Sequence, residues 1–261
     1  MVWSRRAALF GGVSFSPLSL FAASEPGFWY DPSDLSTLFQ DAAGTTPVTA
    51  AGQSVGLVLD KSGRGNHATQ STSLSRPTYQ IDSNGRGHLL FDGSDDFLVT
   101  PTITPGTDKV QVFAGVRKLS DAARGMVAEL GINTVQAWKL EAPNTTGSIY
   151  YSFTSTGSTN AFAGDTNAAR AAPTTNVLVG IADIAADTSI LRVNGAQAAT
   201  SLTDQGTGNY GNYPVYIGRR GGTSLPFNGR IYSLICRFGP NLTADQIAQT
   251  EAWVNSKTGA Y

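Results

Sequence analysis

The chain has 261 residues, of which 41% are hydrophobic and 14% are charged, and its formal net charge is −1. This balance provides no basic surface for nucleic-acid binding. One cysteine, Cys236, and two histidines, His67 and His88, exclude a disulfide framework and the usual zinc site. Because no apolar run reaches the roughly 18 residues of a membrane helix, no membrane insertion is expected. The 29 glycines and the low charge favour one β domain with many turns.

The first 26 residues form an apolar segment that has two interpretations. Arg5-Arg6 followed by an apolar stretch is typical of an export signal of the twin-arginine type. The other interpretation is an N-terminal arm over residues 1–26 that docks on a neighbouring subunit or another protein, because so much apolar surface is unfavourable in water. The side chains expected to dock are Trp3, Phe10, Phe15, Leu18, Leu20 and Phe21.

Residues 27–261 are predicted to form a single β-sandwich. From residue 109 onward, β-branched and aromatic segments recur between Gly, Asn, Asp and Pro residues, at the spacing of sandwich strands. Asn194-Gly195 lies between alternating residues and predicts a tight hairpin. Residues 231–238 are apolar on both faces, which indicates a central strand of a packed sheet.

One helix is predicted, over residues 243–258. Thr243 and Gln246 have the spacing of a capping box, and Leu242 and Ile247 have that of a hydrophobic staple. Gly259 supplies the end of the helix. The apolar face of this helix is expected to pack on the sandwich.

Five segments, taken in order, resemble the laminin-G-like, concanavalin A-like jelly-roll superfamily. They are DKSGRGNH at residues 60–67, LLFDGSDDFL at 89–98, LRVNGA at 191–196, the pair YIGRR and FNGRIYSLI within 216–235, and LTADQIAQTEAWV at 242–254. The segment at residues 15–41, together with TTPVTAAGQSVGLVLDKSGRGNHATQ, looks like a module near the start of tailed-bacteriophage and prophage structural proteins. The resemblance implies an all-β, concanavalin A-like jelly-roll sandwich with an N-terminal arm and a C-terminal helix.

The resemblance to laminin-G-like domains also implies a calcium site at an edge of the sandwich. Carboxylates in turns offer the hard oxygen ligands that calcium prefers. The candidate ligands are Asp60, Asp92, Asp95 and Asp96. The alternative is that each aspartate only accepts hydrogen bonds from its own turn, in which case the protein has no cofactor.

The same superfamily includes retaining glucanases, which need two carboxylates about 5 Å apart. Glu129 and Glu141 are the only glutamates in predicted strands, and they would face each other only across neighbouring strands. No strand carries alternating acids, so both are expected at the surface and the protein is not expected to be an enzyme.

Glycan binding requires aromatic faces beside amide groups on a rim loop. Residues 208–214 have this composition, and one tryptophan lies on a strand that would line a concave sheet. The candidate residues are Asn209, Tyr210, Asn212, Tyr213 and Trp138. The alternative is that the tyrosines simply cover a sheet edge.

Together these features predict a non-enzymatic bacteriophage virion protein, in a tail fibre, a tail appendage or a capsid-decorating position. It would form a homo-oligomer and contact other virion proteins through its N-terminal arm, and the sandwich would bind a host-surface glycan. The alternatives are a secreted or periplasmic lectin-like protein and, less in keeping with the residues, a glycoside hydrolase.

Overall fold

Two antiparallel sheets packed face to face form the fold, which confirms the predicted β-sandwich. The computed structural model describes residues 15–132 and 135–261. Its strands, in chain order, are β1 (Gly27–Tyr30), β2 (Leu38–Phe39), β3 (Leu57–Val58), β4 (Ala68–Thr69), β5 (Thr78–Ile81), β6 (Gly87–Asp92), β7 (Leu98–Val99), β8 (Lys109–Lys118), β9 (Met126–Ile132), β10 (Val135–Glu141), β11 (Ser152–Thr156), β12 (Asn160–Gly164), β13 (Thr174–Asp183), β14 (Thr188–Val193), β15 (Ala196–Ser201), β16 (Val215–Ile217) and β17 (Asn228–Phe238).

Sheet A has the strand order β15-β14-β13-β8-β17-β6-β5, and β1 pairs with the second half of β17. Sheet B has the order β12-β11-β10-β9-β16-β7-β4-β3-β2. The main core fills the space between the sheets and includes Trp138, Phe153, Val116 and Leu234. Neighbours in each sheet are often far apart in the chain, as expected when hairpins from the two sheets are interleaved.

The predicted central strand is β17, in which every residue from Ile231 to Phe238 is buried. Strict alternation of its faces is not observed, because the register shifts between Ile231 and Ser233. Ile231 therefore joins Leu234 and Cys236 in the main core, while Tyr232 lies outside it. The extra residue of a bulge re-aims the side chains that follow it.

A C-terminal helix, α1 (Ala244–Thr258), packs against the outer face of sheet A. The predicted capping box is present, with Thr243 and Gln246 bonded reciprocally, and Gly259 ends the helix in the left-handed conformation at φ 60°. Val254 is fully buried in a second apolar cluster with Phe113 and other sheet A residues. The cluster extends the core to the outside of sheet A.

The predicted hairpin at Asn194-Gly195 joins β14 to β15, and both turn residues have positive φ. Short 3-10 helices also occur, at Pro17–Phe21, Leu35–Thr37, Ser73–Ser75 and Ala168–Arg170. Within residues 15–132 and 135–261, no helix has the length and apolar character needed to cross a membrane.

Candidate functional sites

A cleft of about 290 Å³ opens at one end of the sandwich, where β10, β11 and the loop between β15 and β16 meet. The loop is anchored by Tyr210, whose backbone N–H donates to the Thr107 carbonyl over 3.0 Å and whose hydroxyl lies 2.6 Å from Ser155 Oγ. A second anchor is the β-bridge between Ile103 and Tyr213. These contacts fix a glycine-rich loop as one wall of the cleft.

Two of the five predicted glycan residues, Asn209 and Tyr213, line this cleft. Asn212 is exposed in the same loop but does not line it. Tyr213 is partly buried against the main core and Asn209 is exposed, so the lining of the cleft includes an aromatic residue and an amide. Other lining residues, which the sequence did not single out, include Ala137, Ser158, Ile184 and Thr207.

The predictions for Tyr210 and Trp138 were wrong, because both side chains are buried. Tyr210 packs against Phe238 with ring centroids 6.1 Å apart, and its hydroxyl is engaged by Ser155. Trp138 is fully buried in the core beside Phe153. Trp138 belongs to the main core between the sheets, as does its strand partner Leu130, so no ligand reaches it without opening the sandwich.

A cluster of three carboxylates lies in the turn after β6. Oxygens of Asp92, Asp95 and Asp96 lie within 4.8 Å of one another. Hydrogen bonds engage one oxygen of each, from the Ser94 amide to Asp92, from the Ser75 hydroxyl to Asp95 and from the Asp92 amide to Asp96. Burial, together with the neighbouring negative charges, raises the pKa of Asp96 to about 6. The donor set fits a hard cation, and calcium binding here stays a prediction.

Asp60, the fourth predicted ligand, lies outside this cluster. Its two carboxylate oxygens accept hydrogen bonds from the backbone amides of Trp29, Ser62 and Asn66 and from the Ser62 hydroxyl. The structure therefore agrees with the alternative for Asp60, in which its carboxylate accepts hydrogen bonds that stabilise the turn.

Glu129 and Glu141 are fully buried, so the prediction that they lie at the surface was wrong. Both belong to the outer face of sheet B, with Glu129 directly opposite Lys139 and Glu141 opposite Ser152. Arg124 forms an ion pair with Glu141, with Nε 2.6 Å from Oε1, and the Ser152 hydroxyl donates to Glu141 Oε2 over 2.8 Å. Glu141 is thus held as a structural ion.

Glu129 is covered by the loop between β16 and β17. The Gly221 amide donates to Glu129 Oε1 over 2.8 Å, and Arg220 Nε lies 4.0 Å from Oε2. Burial raises the pKa of Glu129 to about 7 and lowers that of its neighbour Lys139. A raised carboxyl pKa is typical of a general acid, but a side chain with no exposed surface cannot reach a glycosidic oxygen.

Among the residues predicted to dock on a partner, Leu20 and Phe21 are buried in the chain's own second apolar cluster. Their prediction as docking residues was wrong, because the 3-10 helix Pro17–Phe21 lies against β17 and covers the outer face of sheet A. Leu18 is 51% exposed and Phe15 is partly buried beside the same cluster. Trp3 and Phe10 lie outside the described residues.

No family model matches the chain, and no curated protein matches it in sequence. Solved structures with the same fold are receptor-binding domains of botulinum neurotoxins. That of the mosaic serotype C/D has a TM-score of 0.59, 9% identity, and a match over 88% of this chain and 51% of its own. The binding domain of neurotoxin DC in complex with SialylT has a TM-score of 0.55 and 11% identity, over 77% and 48% of the two chains.

A third structure concerns botulinum neurotoxin type C, whose cell entry depends on interaction with two ganglioside molecules. It has a TM-score of 0.55 and 11% identity, over 89% of this chain and 51% of that one. The chain therefore spans about half the length of the structures it resembles. At these identities the similarity shows the fold alone, a β-sandwich.

Proposed function

We propose that the chain is a non-enzymatic, carbohydrate-binding β-sandwich of a bacteriophage virion, and that it binds sugar in the cleft at the β10–β11 end. The observation that carries the proposal is the cleft itself, which is lined by a partly exposed tyrosine and an exposed asparagine together with small, apolar and hydroxyl-bearing residues. Sugar rings stack on aromatic faces and their hydroxyls bond to amides. Two neurotoxin structures of the same fold support this class of ligand: one is a binding domain in complex with SialylT, and the other concerns a toxin whose cell entry depends on interaction with two ganglioside molecules.

The non-enzymatic part of the proposal is supported by Glu129 and Glu141. Both carboxylates are buried and engaged by neighbouring groups rather than facing a cleft. Neither lines the cleft that holds Asn209 and Tyr213.

A glycan array followed by calorimetric titration of the strongest hit tests the proposal. Tyr213→Ala and Asn209→Ala are each expected to weaken binding about tenfold or more, because stacking and a paired amide are lost. Asn212→Ala and Phe162→Ala are the matched controls: an exposed asparagine of the same loop and an exposed aromatic ring outside the cleft. Equal effects of cleft and control variants would refute the proposal.

The virion role rests on the resemblance of residues 15–41 to phage structural proteins and on an apolar surface left beside that segment. Phe15, Ala252 and Trp253 line a shallow depression of about 250 Å³ next to α1. An apolar surface of this kind favours contact with another protein.

Deletion of residues 2–14 tests the virion role without removing Leu20 and Phe21 from the core. Native mass spectrometry is expected to show an oligomer for the full chain and a folded monomer for the deletion. An unchanged oligomer would refute assembly through the N-terminal arm. A full chain that is recovered as a processed monomer would favour the exported lectin-like protein.

A further inference from the structure

A second pocket, of about 400 Å³, lies on the outer face of sheet A beyond the C-terminal end of α1. Its floor is formed by β8, β13 and β17, and one wall is the turn between β5 and β6. The pocket lies at the end of β8 that contains Lys118 and at the end of β13 that contains Thr174. Ile184, which follows the opposite end of β13, lines the cleft described above. The pocket and the cleft are therefore separate sites.

Three arginines line this pocket: Arg86, Arg117 and Arg230. Arg117 and Arg230 are directly opposite each other on the paired strands β8 and β17. Their sequence neighbours Val116 and Ile231 are in the main core, so both guanidinium groups project outward on the same face. Like charges directly opposite on neighbouring strands are destabilising. The fold therefore keeps an unfavourable pair at this place.

The arginines of this pocket lack the carboxylate partners that others have. Among the described residues, no Asp or Glu oxygen lies within 4.0 Å of Arg86, Arg117 or Arg230, and the buried Nε atoms of Arg117 and Arg230 have no hydrogen-bond partner. Arg117 Nη1 donates only to the Thr175 hydroxyl, over 3.0 Å. Four other arginines form close ion pairs, Arg124–Glu141, Arg170–Asp165, Arg192–Glu251 and Arg237–Glu25, and the guanidinium groups of Arg64, Arg76 and Arg219 donate to backbone carbonyls.

Other groups of the pocket compensate this positive charge only in part, since Asp82 is close enough to Arg86 for that charge to help lower its pKa. Asp82 is the one carboxylate among the described residues that line the pocket, and its oxygens already accept from the backbone amides of Asn84 and Arg86 and from the Tyr232 hydroxyl. Burial and the charge of Arg230 lower the pKa of nearby His88, so its ring is neutral at pH 7. Hydroxyls of Ser83, Thr175 and Thr258 complete a polar lining.

We propose that this pocket binds an oxyanion, with Arg117 and Arg230 as the paired donors and Arg86 closing over it. Half-buried guanidinium groups on paired strands can donate to the two or more oxygens of a carboxylate, sulfate or phosphate. The pocket volume exceeds that of a bare inorganic anion, so it has room for the sugar ring of a uronic or other acidic sugar. The proposal is independent of glycan binding in the cleft.

Calorimetric titration of the full chain at constant ionic strength tests this proposal with three probes: inorganic sulfate, glucuronic acid and glucose. The wild type is expected to bind the two anions and not glucose. Tighter binding of glucuronate identifies an oxyanion carried on a sugar, whereas equal binding of sulfate identifies the oxyanion alone as the ligand. Arg117→Gln and Arg230→Gln should each weaken binding at least about tenfold, since one charge-assisted bond is lost.

Arg219→Gln is the matched control, because it removes the same charge from a loop outside the pocket. Tyr213→Ala should also leave anion binding unchanged, which separates this site from the cleft. Should either pocket variant fail to fold, the wild type still reports through its thermal midpoint, which glucuronate but not glucose at the same concentration and ionic strength should raise. Absence of anion binding by the wild type, or an equal loss in Arg219→Gln, would overturn the proposal.

Discussion

The outer face of sheet B carries buried acids that face basic groups of the chain, whereas the outer face of sheet A combines two ion pairs, Arg192–Glu251 and Arg237–Glu25, with an arginine pair that lacks a carboxylate partner among the described residues. On sheet B, Glu141 is paired with Arg124, and Glu129 lies opposite Lys139 and beneath the loop that carries Arg220. On sheet A, Arg117 faces Arg230 with no carboxylate within ion-pair distance among the described residues. The comparison separates charges that are paired within the fold from the Arg117–Arg230 pair, for which we propose an anion as the partner.

The largest effect is expected on sheet B, from Arg124→Met. This change leaves the Glu141 carboxylate buried with only the Ser152 hydroxyl as a donor from the present set. Breaking a buried ion pair by removing one partner should lower the free energy of unfolding by about 3 kcal/mol. Urea unfolding of the wild type and the variant measures this difference in the free energy of unfolding. The control, Arg219→Met, should cost less than about 1 kcal/mol, and equal losses would mean that the buried pair has no special role.

A second effect concerns the pH dependence that Glu129 gives to the fold. Burial raises its folded pKa to about 7 from an ordinary value of 4.5, so the folded state holds a proton that the unfolded state releases. The stabilisation of the folded state that comes from this bound proton is fully present below pH 4.5 and is lost as the pH rises through 7. Relative to Glu129→Gln, the wild type should lose up to about 3 kcal/mol between these pH values. Urea titrations from pH 4 to pH 8 test this, and a pH-independent difference would contradict it.

A smaller effect is expected at the turn after β6, where Asp92, Asp95 and Asp96 concentrate negative charge. It is the negative counterpart of the pocket lined by three arginines. If calcium binds Asp92, Asp95 and Asp96, 1 mM calcium should raise the thermal midpoint by about 2–4 °C relative to a chelator, the shift of roughly 1 kcal/mol in a chain of this size. Asp95→Asn should abolish the shift and the exposed Asp245→Asn should retain it. Equal midpoints with calcium and chelator would show that the turn needs no metal.

Local signals in the sequence predicted the elements whose causes are local. The Thr243 capping box, the left-handed Gly259 and the Asn194-Gly195 turn depend on a few adjacent residues, and the structure has all three. The apolar run of β17 likewise identified a central strand, because burial on both faces leaves a pattern within one segment.

The candidate functional residues could be predicted only in part, because the exposure of a side chain depends on which other elements cover its face of the sheet. Alternation of apolar and polar residues indicates that a strand has two faces, but it does not indicate that α1 and the Pro17–Phe21 helix cover the outer face of sheet A. For this reason the prediction of Leu20 and Phe21 as docking residues is wrong. Tyr210 resembled its loop neighbour Tyr213 in sequence, yet one ring anchors the loop and the other lines the cleft. The Arg117–Arg230 pairing depends on the register of strands distant in sequence, which no local pattern reveals.

The most direct test of the contrast between paired charges and the unpaired Arg117–Arg230 charges is the free energy of unfolding of Arg230→Gln. It is measured with and without sulfate at equal ionic strength. Without sulfate the variant should be more stable than the wild type by about 0.5 kcal/mol, because one of two facing charges is removed. With sulfate the order should reverse, since only the wild type gains the binding free energy. A variant that is less stable than the wild type under both conditions would show that Arg230 serves the fold and not a ligand.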